Sequence, residues 1–580
     1  MRLKKNKTEI KKPRFLVFDF ETNNSDIAIA KGETNVWLYD IYDVYNNRHY
    51  TGATIDEFFD QLFNLESNII YAHNLKFDGN FIISWLLRSG FTWVEKNPDH
   101  KQFTTLISDM GQFYSIKIGY DEKEYDFRDS MKKIDGSVAD MAFAYGLELK
   151  KGEIDYRLHR PEGYQATREE KEYIWNDTEI VANVLKFYYE NAMTRMTTAS
   201  DTMALYRKSI GENLYTLYFP ELSIEVDDFI RESYRGGCCI LNKKYASEIV
   251  HDIKVYDVNS MYPYQMCEMY LPYGEPRMFY GKYSTQVENS IYDLYIQKIK
   301  VDLTVKENHY PSILVKNWYG LGRTYIDDTE GEITTLVLTN VDMDLMFDNY
   351  EIHYIEYCEG MAFRSSRELF RDFMLPLYEK KNTTKGAQKI LYKKLLNSLY
   401  GKFAMNPRHR QKIPKLSDDG KVVYEQSDIS YEKPIYTAVA SFITSYARKH
   451  LFNAINNNLD SFIYCDTDSV HLLKEANGLE IHSKKLGAWK LENEDNPIIR
   501  AKYIGQKCYI HEHEKEVEEN SKLDRKIAAC PKSVKSLIDF DNFKIGMTFD
   551  SDKDGQQKLR PKLVKNGVIL VSTPFSIKER

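Results

Sequence analysis

Apolar runs that end in acids mark the first part of the chain. Phe15 to Phe20 is apolar apart from Asp19, and Glu21 follows it, so both carboxylates project from one face of a predicted strand. A second predicted strand, 69–72, precedes a polar turn and then a helical pattern. Asp78 lies at that junction of strand and helix, which is a usual position for active sites of α/β proteins.

A helix start further along adds a fourth acid. Residues 167–170, Thr-Arg-Glu-Glu, form a capping box, and Tyr173 and Asp177 lie four apart on the helix that it opens. Carboxylates that hold two metal ions, with a hydroxyl to orient water, are what a two-metal phosphodiester hydrolase needs. Each acid taken alone is more simply a surface acid. The set that fits this chemistry is Asp19, Glu21, Asp78, Asp177 and Tyr173.

A polar turn with two acids lies between apolar runs in the second part of the chain. Residues 462–464 and 470–473 flank Asp466 and Asp468, which predicts a β-hairpin with carboxylates at its tip. An isolated pair of this kind is more simply a solvated turn. Another predicted strand carries Asp257, which can face the hairpin acids across a sheet and share two Mg²⁺ ions with them.

Residues 388–403 have helical character. Lys389, Lys393, Asn397 and Tyr400 fall on one broad face of that helix. Two ammonium groups above a ring suit a nucleoside triphosphate, although a solvated helix face is the simpler interpretation of a run of lysines.

Composition limits the class of protein. A chain of 580 residues predicts roughly four units of ordinary size, fused into two lobes. The net charge of -7 excludes a uniformly basic nucleic-acid coat, but not a local basic site. Seven cysteines without C-x-x-C spacing favour a reducing cytosol. No apolar window approaches 18 residues, so neither export nor membrane insertion is predicted.

Six motifs, in order, resemble those of family B DNA polymerases. The exonuclease motifs are Asp-Phe-Glu-Thr (19–22), Asn-Leu-Lys-Phe-Asp-Gly (74–79) and Tyr-x-x-x-Asp (173–177). The polymerase motifs A, B and C are Asp-x-x-Ser-x-Tyr-Pro (257–263), Lys-x-x-x-Asn-Ser-x-Tyr-Gly (393–401) and Tyr-Cys-Asp-Thr-Asp-Ser (464–469). Six matches in the family's order, spread over nearly the whole chain, do not arise by chance.

Further signatures are similar to the protein-primed branch, the phi-29 type of bacteriophage replicase. They are Tyr234-Arg235-Gly236-Gly237, Thr444 to Arg448 and Lys507-Cys508-Tyr509. In that branch one insertion contacts the priming protein and a second supports strand displacement. Asp257 and Lys393 are 136 positions apart, and Gly401 and Asp466 are 65 apart, which leaves room for both insertions.

The resemblance implies an α/β fold with an α+β polymerase lobe. An RNase H-like 3′–5′ exonuclease domain would precede a right-hand polymerase domain of palm, fingers and thumb with two insertions. The implied boundaries are exonuclease 1–197, first palm part 198–268, insertion contacting terminal protein 269–368, fingers 369–407, strand-displacement insertion 408–433, second palm part 434–505 and thumb 506–580.

The same resemblance implies the roles of residues in the polymerase lobe. Asp257 and Asp468 would hold the metals with the carbonyl of Val258, and Asp466 would lie nearby. Tyr262 would crowd a ribose 2′-hydroxyl. Tyr400 would line the nucleotide site, Lys381, Lys389 and Lys393 would meet its phosphates, and Lys507 and Tyr509 would steady the primer end. The further DNA contacts implied are Tyr234, Gly236, Gly237, Thr444 and Arg448.

In the exonuclease lobe, Lys151 and Tyr173 would assist hydrolysis by the four acids. The residues implied to grip single-stranded DNA are Thr22, His73, Asn74, Phe77, Phe81, Ser130, Met131 and Tyr156. Met131 and Met261 stand where the family commonly has leucine, a swap that conserves volume.

The expected function is a replicative DNA-directed DNA polymerase with a proofreading 3′–5′ exonuclease. The resemblance further implies protein priming, processivity and strand displacement on a linear phage genome in the cytoplasm of a bacterial host. The expected cofactor is Mg²⁺, two ions per site, with Mn²⁺ as a substitute. The expected partners are primer-template and single-stranded DNA, deoxynucleoside triphosphates and a terminal protein, with no membrane and a monomeric enzyme. A nuclease with a DNA clamp and a non-catalytic scaffold are the alternatives; neither requires acids in both lobes.

Overall fold

The computed structural model describes residues 13–149, 152–284, 291–316, 323–517, 520–549 and 558–578. Its first part is an eight-stranded sheet in the order β3-β2-β1-β4-β8-β7-β6-β5. The strands are β1 (Leu16–Thr22), β2 (Val36–Asp43), β3 (Arg48–Gly52), β4 (Ile69–Ala72), β5 (Thr92–Trp93), β6 (Gln102–Ile107), β7 (Phe113–Tyr120) and β8 (Lys123–Asp129).

Helices cover this sheet and bury β1 in its middle. They are α1 (Asp26–Lys31), α2 (Ile55–Phe63), α3 (Leu75–Arg88), α4 (Val138–Ala144) and α5 (Arg168–Glu190). The predicted strands at β1 and β4 are confirmed. The capping box is confirmed as well, because Thr167 Oγ1 accepts from the Glu170 amide and the Glu170 carboxylate accepts from the Thr167 amide. Buried side chains such as Phe18, Phe58 and Phe127 form the core between β1, α2 and β8.

A group of helices leads from the first sheet to the second. It consists of α6 (Thr198–Ile210), α7 (Glu212–Tyr218), α8 (Ile224–Glu232) and α9 (Met261–Glu268). A buried ion pair of Lys133 with Asp201 fixes α6 to the first sheet.

The second sheet contains the predicted hairpin and runs in the order β26-β25-β24-β10-β22-β21-β9, with β23 also paired to β10. Its strands are β9 (Cys239–Leu241), β10 (Ile249–Val258), β21 (Phe462–Asp466), β22 (Ser469–Leu472), β23 (Trp489–Leu491), β24 (Ile498–Gly505), β25 (Cys508–His513) and β26 (Leu523–Ile527). The hairpin prediction is confirmed, because β21 and β22 pair antiparallel with Asp466 opposite Ser469.

The described residues between 271 and 366 form a separate four-stranded sheet, and the helix α10 packs on it. The sheet order is β11-β16-β12-β15, beside a short β13-β14 ribbon. The elements are β11 (Leu271–Tyr280), β12 (Leu294–Val305), β13 (Leu314–Lys316), β14 (Arg323–Tyr325), β15 (Thr334–Thr339), α10 (Asn340–Asn349) and β16 (Tyr350–Ser366).

Three long helices and a β-extension follow. The helices are α11 (Glu368–Thr383), α12 (Gly386–Phe403) and α13 (Thr437–Asn456), which confirms the helix predicted over 388–403. Between α12 and α13 lie β17 (Arg408–His409), β18 (Lys412–Leu416), β19 (Val422–Gln426) and β20 (Ser430–Tyr431). Because β17 pairs with β20 and β18 with β19, this stretch is a double ribbon, and Val422 joins the core of the first part of the chain.

The last part ends in a hairpin that reaches back to the first sheet. Its elements are α14 (Lys532–Lys535), β27 (Thr548–Phe549), β28 (Lys558–Val564), β29 (Gly567–Thr573) and β30 (Phe575–Ser576). Lys565, at the turn between β28 and β29, forms backbone bridges to Glu33 and Lys421, so the hairpin touches the segment between α1 and β2 and the double ribbon. Across the described ranges no helix combines the length and apolarity needed to cross a membrane.

Candidate active sites

Asp257 and Asp468 are brought together by backbone pairing. Strand β10 pairs with β22 so that Asp257 lies opposite Ser469, the residue after Asp468. The amide of Val258 donates to the carbonyl oxygen of Asp468 at 2.8 Å. Thr467, at the tip of the hairpin, has a left-handed φ of 59°, and the Asp468 amide reaches back to the Asp466 carbonyl at 2.6 Å. The two carboxylates that the sequence places far apart therefore converge at one sheet position.

The electrostatics of this pair favour a positively charged ligand. Burial, then repulsion by Asp468 and Glu492, raises the pKa of Asp257 to about 7. Burial, then repulsion by Asp466, raises the pKa of Asp468 to about 6. Carboxyl groups with such pKa values are held in an environment where a cation would stabilise their ionised form. In the described part of the chain no three acidic, thiol or imidazole side chains surround a single point closely enough for one ion.

Lysines from two helices face the carboxylates. Lys381 on α11 donates its Nζ to Ser260 Oγ at 2.9 Å. Burial and repulsion by Lys393 and Lys389 lower the pKa of Lys381, so all three ammonium groups lie close enough to interact. Lys393 also acts electrostatically on both Asp257 and Asp468. The structure thus places the three sequence-predicted lysines beside the acids, where a polyanion could be neutralised.

Two tyrosines and a glycine lie next to this group. The rings of Tyr262 and Tyr400 are 4.2 Å apart at their centroids. A Cβ at Gly237 would lie 3.0 Å from Thr467 Oγ1 and 3.2 Å from the Tyr262 hydroxyl, so only glycine fits without displacement. Tyr234 interacts electrostatically with both tyrosines, and Gly236 precedes Gly237 with a φ of 77°.

Lys507 connects the hairpin tip with the next sheet strands. Its Nζ lies 3.1 Å from Asp466 Oδ1, and its amide donates to the hydroxyl of Tyr464 at 2.9 Å. Tyr509 packs edge-on to Tyr464 with centroids 5.3 Å apart. The predicted residues Lys507 and Tyr509 are therefore adjacent to motif C.

Thr444 and Arg448, which the resemblance implies as DNA contacts, have partners within the protein. Both side chains are buried in α13. Arg448 donates to both carboxylate oxygens of Asp342 and, at 2.5 Å, to the carbonyl oxygen of Gly236. Thr444 donates to the backbone of its own helix. Arg448 holds the glycine turn in place, and a direct contact of either side chain with DNA stays a prediction.

The exonuclease acids converge at the edge of the first sheet. Burial raises the pKa of Asp78 well above its ordinary value, and repulsion by Asp19 adds to this. The Asp78 Oδ1 atom is buried and has no hydrogen-bond partner among the described residues. Burial, then the charges of Glu21, Asp177 and Asp19, raises the pKa of Tyr173. All four predicted acids and the phenol therefore belong to one cluster.

Sequence reasoning missed Asp129 in this cluster. It is buried at the end of β8 and accepts from the amides of Asn74 and Leu75 at the start of α3. It also acts electrostatically on Asp78. No apolar run marks this position, because β8 reads Lys-Glu-Tyr-Asp-Phe-Arg-Asp and is mostly charged.

The residues predicted to assist hydrolysis or to bind single-stranded DNA differ in burial and in their contacts. The hydroxyls of Tyr156 and Tyr173 are 2.7 Å apart. Lys151 lies outside the described residues. Thr22 is half-buried at the end of β1, next to the acid cluster, and Asn74 is exposed. His73 contacts Ser130 Oγ at 2.9 Å.

For two of the residues predicted to contact single-stranded DNA, the structure shows only their position, and the contact stays a prediction. Ser130 and Phe81 are buried, and Phe81 packs so closely under Gly567 that a Cβ there would come within 2.4 Å of its ring. Ser130 and Phe81 lie beneath the protein surface, whereas the side chain of Met131 is exposed on it. Asn74 and Phe77 line a cavity of about 370 Å³. Tyr424, Leu563 and Leu570 also line this cavity.

The comparisons with known proteins agree with this geometry. The family model "DNA polymerase type B, organellar and viral" matches residues 60–162 and 157–485. The chain therefore belongs to the type B DNA polymerases, and its relatives within that family are of the phi29 type. The predicted enzyme class is confirmed: the chain is a DNA-directed DNA polymerase, and a 3′–5′ exonuclease activity fits the structural match.

Particular relatives cover almost the whole chain. The DNA polymerase of Bacillus phage M2 is 38% identical over 97% of this chain and 99% of its own. That of Bacillus phage phi29 is 37% identical over 97% of this chain and 98% of its own. The solved ternary complex of phi29 DNA polymerase with primer-template DNA and incoming nucleotide superposes with a TM-score of 0.89, at 36% identity, covering 97% of this chain and all of that one. The predicted fold class, with exonuclease and polymerase domains, is confirmed.

Proposed function

We propose that this polymerase is replicative and transfers nucleotides with two divalent ions, Mg²⁺ by preference, held by Asp257, Asp468 and the carbonyl of Val258. The observation that carries this is the hydrogen bond between Val258 and Asp468, which brings the two acid-bearing strands into register. The residues fit the ions, because two half-buried carboxylates with raised pKa values and a backbone oxygen are hard oxygen donors. When bound, such ions lower the pKa of a hydroxyl nucleophile and stabilise charge on a leaving phosphate.

The protein side chains would bind and orient the substrate. Lys381, Lys389 and Lys393 form a cationic surface beside the acids for the triphosphate. The adjacent rings of Tyr262 and Tyr400 would limit the space at the sugar, which would exclude a ribose 2′-hydroxyl. Lys507 at the hairpin tip would steady the primer end.

The acid cluster at Asp19, Glu21, Asp78 and Asp177 is proposed as a proofreading site. The unpartnered Asp78 Oδ1 and the mutual repulsion of these acids suit a bound cation. Tyr173, joined to Tyr156, would orient the attacking water. A frayed, unpaired end would enter this site more readily than a paired end.

The remaining proposals assign a role to each part of the chain. Residues 1–197 would be the exonuclease domain, 198–268 and 434–505 the palm, 369–407 the fingers and 506–580 the thumb. The sheet within 269–368 is proposed to contact a terminal protein during priming, and the ribbon within 408–433 to displace the non-template strand. The hairpin contacts of Lys565 would favour processive synthesis by enclosing DNA.

Titles of solved relatives suggest the partners. Phi29 DNA polymerase has been solved with primer-template DNA and incoming nucleotides and with single-stranded DNA. We propose the same ligands here, with the chain acting as a monomer in the cytoplasm of a bacterial host.

Two experiments test these assignments. Crystals soaked in Mn²⁺ with primer-template and a non-hydrolysable triphosphate should show anomalous peaks between Asp257 and Asp468; peaks elsewhere would refute the site. Incubation with the cognate terminal protein and each labelled deoxynucleotide in turn should yield a covalent protein–nucleotide adduct. Absence of an adduct with all four would refute protein priming and leave the polymerase assignment intact.

A further inference from the structure

The turn that follows Asp257 is held by a segment with no role assigned above, residues 478–489, here called the coupling segment. Asn259 makes three hydrogen bonds to it. The Asn259 amide donates to the Ala488 carbonyl at 3.0 Å, the Gly487 amide donates to the Asn259 carbonyl at 3.0 Å, and Asn259 Nδ2 donates to the His482 carbonyl at 2.7 Å. The backbone immediately after the Val258 carbonyl is therefore fixed from outside the hairpin.

The coupling segment also contacts helix α11. The Tyr378 hydroxyl donates to the Lys484 carbonyl at 2.9 Å. One turn further along α11, Lys381 donates to Ser260 Oγ, and its Nζ lies 5.0 Å from the centroid of the Tyr378 ring. Helix α11 thus reaches the turn 257–260 by two routes, one direct and one through the coupling segment.

The coupling segment is held together by hydrogen bonds within itself. His482 Nδ1 accepts from the amides of Lys484 and Lys485, which makes the turn internally rigid. Beneath it lies a cavity of about 600 Å³, lined by Leu375, His450 and Trp489 among others. Trp489 stacks on His450 in the wall of this cavity, so both side-chain packing and the hydrogen bonds of Asn259 and Tyr378 position the segment.

We propose that the coupling segment transmits the position of helix α11 to the turn 257–260, with Asn259 and Tyr378 as positioning residues for nucleotidyl transfer. This rests on the proposed two-metal function. When the lysines of α11 and α12 engage a triphosphate, the accompanying shift of α11 reaches the Val258 carbonyl through Tyr378, Lys484 and Asn259. Triphosphate binding and the alignment of the metal-holding backbone are thereby linked.

Tyr378→Phe tests the link with little change in packing, because it keeps the ring beside Lys381 and removes only the hydroxyl. Tyr354→Phe is the matched control, since that exposed hydroxyl bonds Glu356 in the distant sheet. Hydrogen exchange of peptides covering 257–260 and 478–489 is measured on metal-free protein. Single-turnover incorporation then gives the triphosphate Kd and the Mg²⁺ concentration for half-maximal rate, and single-stranded exonuclease activity is followed in parallel.

Loss of one hydrogen bond should raise the half-saturating Mg²⁺ concentration about fivefold. Exchange should become faster in both peptides, while the exonuclease rate and the Tyr354→Phe variant stay at wild-type values. Asn259→Ala should produce a larger effect of the same kind. Unchanged exchange and Mg²⁺ dependence in Tyr378→Phe would overturn the proposal, as would an equal loss of both activities, which indicates general destabilisation. If the two-metal assignment itself is wrong, Asp468→Asn will extend a primer at the wild-type rate, which is a separate result.

Discussion

The Val258 amide and the Asp468 carbonyl oxygen are joined by a hydrogen bond of 2.8 Å between strands that lie far apart in the chain. The distance between the two polymerase acids is therefore set by backbone pairing and not by flexible side chains. Backbone positions in a sheet lose little entropy on binding a ligand, because folding has already ordered them. This arrangement gives a preorganised site, whose acids can be tested one at a time.

Asp468→Asn should abolish nucleotide addition and leave exonuclease activity unchanged. The amide keeps the shape of the side chain but removes the negative charge that we assign to metal binding. We expect a loss of at least about a thousandfold in extension of a primed template. Asp460→Asn, an exposed acid paired with Lys474, is the control and should extend normally. Wild-type extension by Asp468→Asn would refute the metal assignment.

Asp78→Ala should have the opposite effect. It removes a buried acid with an unpartnered oxygen from the first-sheet cluster and does not touch the second sheet. Degradation of a single-stranded oligonucleotide should fall by at least about a hundredfold, whereas extension of a matched primer persists. If the variant degrades the oligonucleotide normally, the assigned exonuclease site is incorrect.

The crowded acids should make the metal-free protein less stable at high pH. The folded-state pKa of Asp257, about 7, lies above the ordinary carboxyl value, so the folded protein binds this proton more tightly than the unfolded chain. The free energy of unfolding therefore falls as pH rises from about 4 towards 7. Asp257→Asn cannot ionise, so in EDTA at pH 8 it should be more stable than the wild type by on the order of 2 kcal/mol.

Urea unfolding at several pH values measures this effect. The advantage of Asp257→Asn should shrink as the pH falls to about 4 and below, where the carboxyl also becomes protonated in the unfolded chain. Equal unfolding midpoints for variant and wild type at pH 8 would contradict the electrostatic account.

Arg448→Met should destabilise the protein by about 3 to 5 kcal/mol, because it leaves Asp342 charged and buried. The adjacent substitution Lys449→Met removes an exposed pair with Asp344 and should cost less than about 1 kcal/mol. Denaturant unfolding compares the two. Adding Asp342→Asn to Arg448→Met should recover part of the loss; no recovery would mean that the ion pair is not its source.

The sequence predicted those parts of the fold that depend on local pattern. The strands at 16–22 and 69–72, the hairpin at 462–472 and the capping box at Thr167 follow from side-chain alternation and helix-capping chemistry. Motif resemblance supplied the acids and lysines that the structure brings together. These predictions required no knowledge of tertiary contacts.

What the sequence could not show depends on contacts between distant elements. Thr444 and Arg448 resemble exposed DNA contacts in a motif, yet α13 is buried on nearly all sides, so both face the interior. Asp129 and Asn259 act by accepting or donating hydrogen bonds to backbone groups far away in sequence. The sequence does not predict such partners, because almost every residue carries a backbone amide and a carbonyl, whatever its side chain.

Strand β10 has two sets of neighbours along its length. Its first half, Ile249 to Ile253, pairs with β24, while Lys254 to Asp257 pair with β22. Since β24 continues into β25 and β26, a single hydrogen-bonded surface extends from residue 527 to the strand that carries Asp257. A displacement of β24 to β26 is therefore transmitted through backbone hydrogen bonds to the strand that carries Asp257.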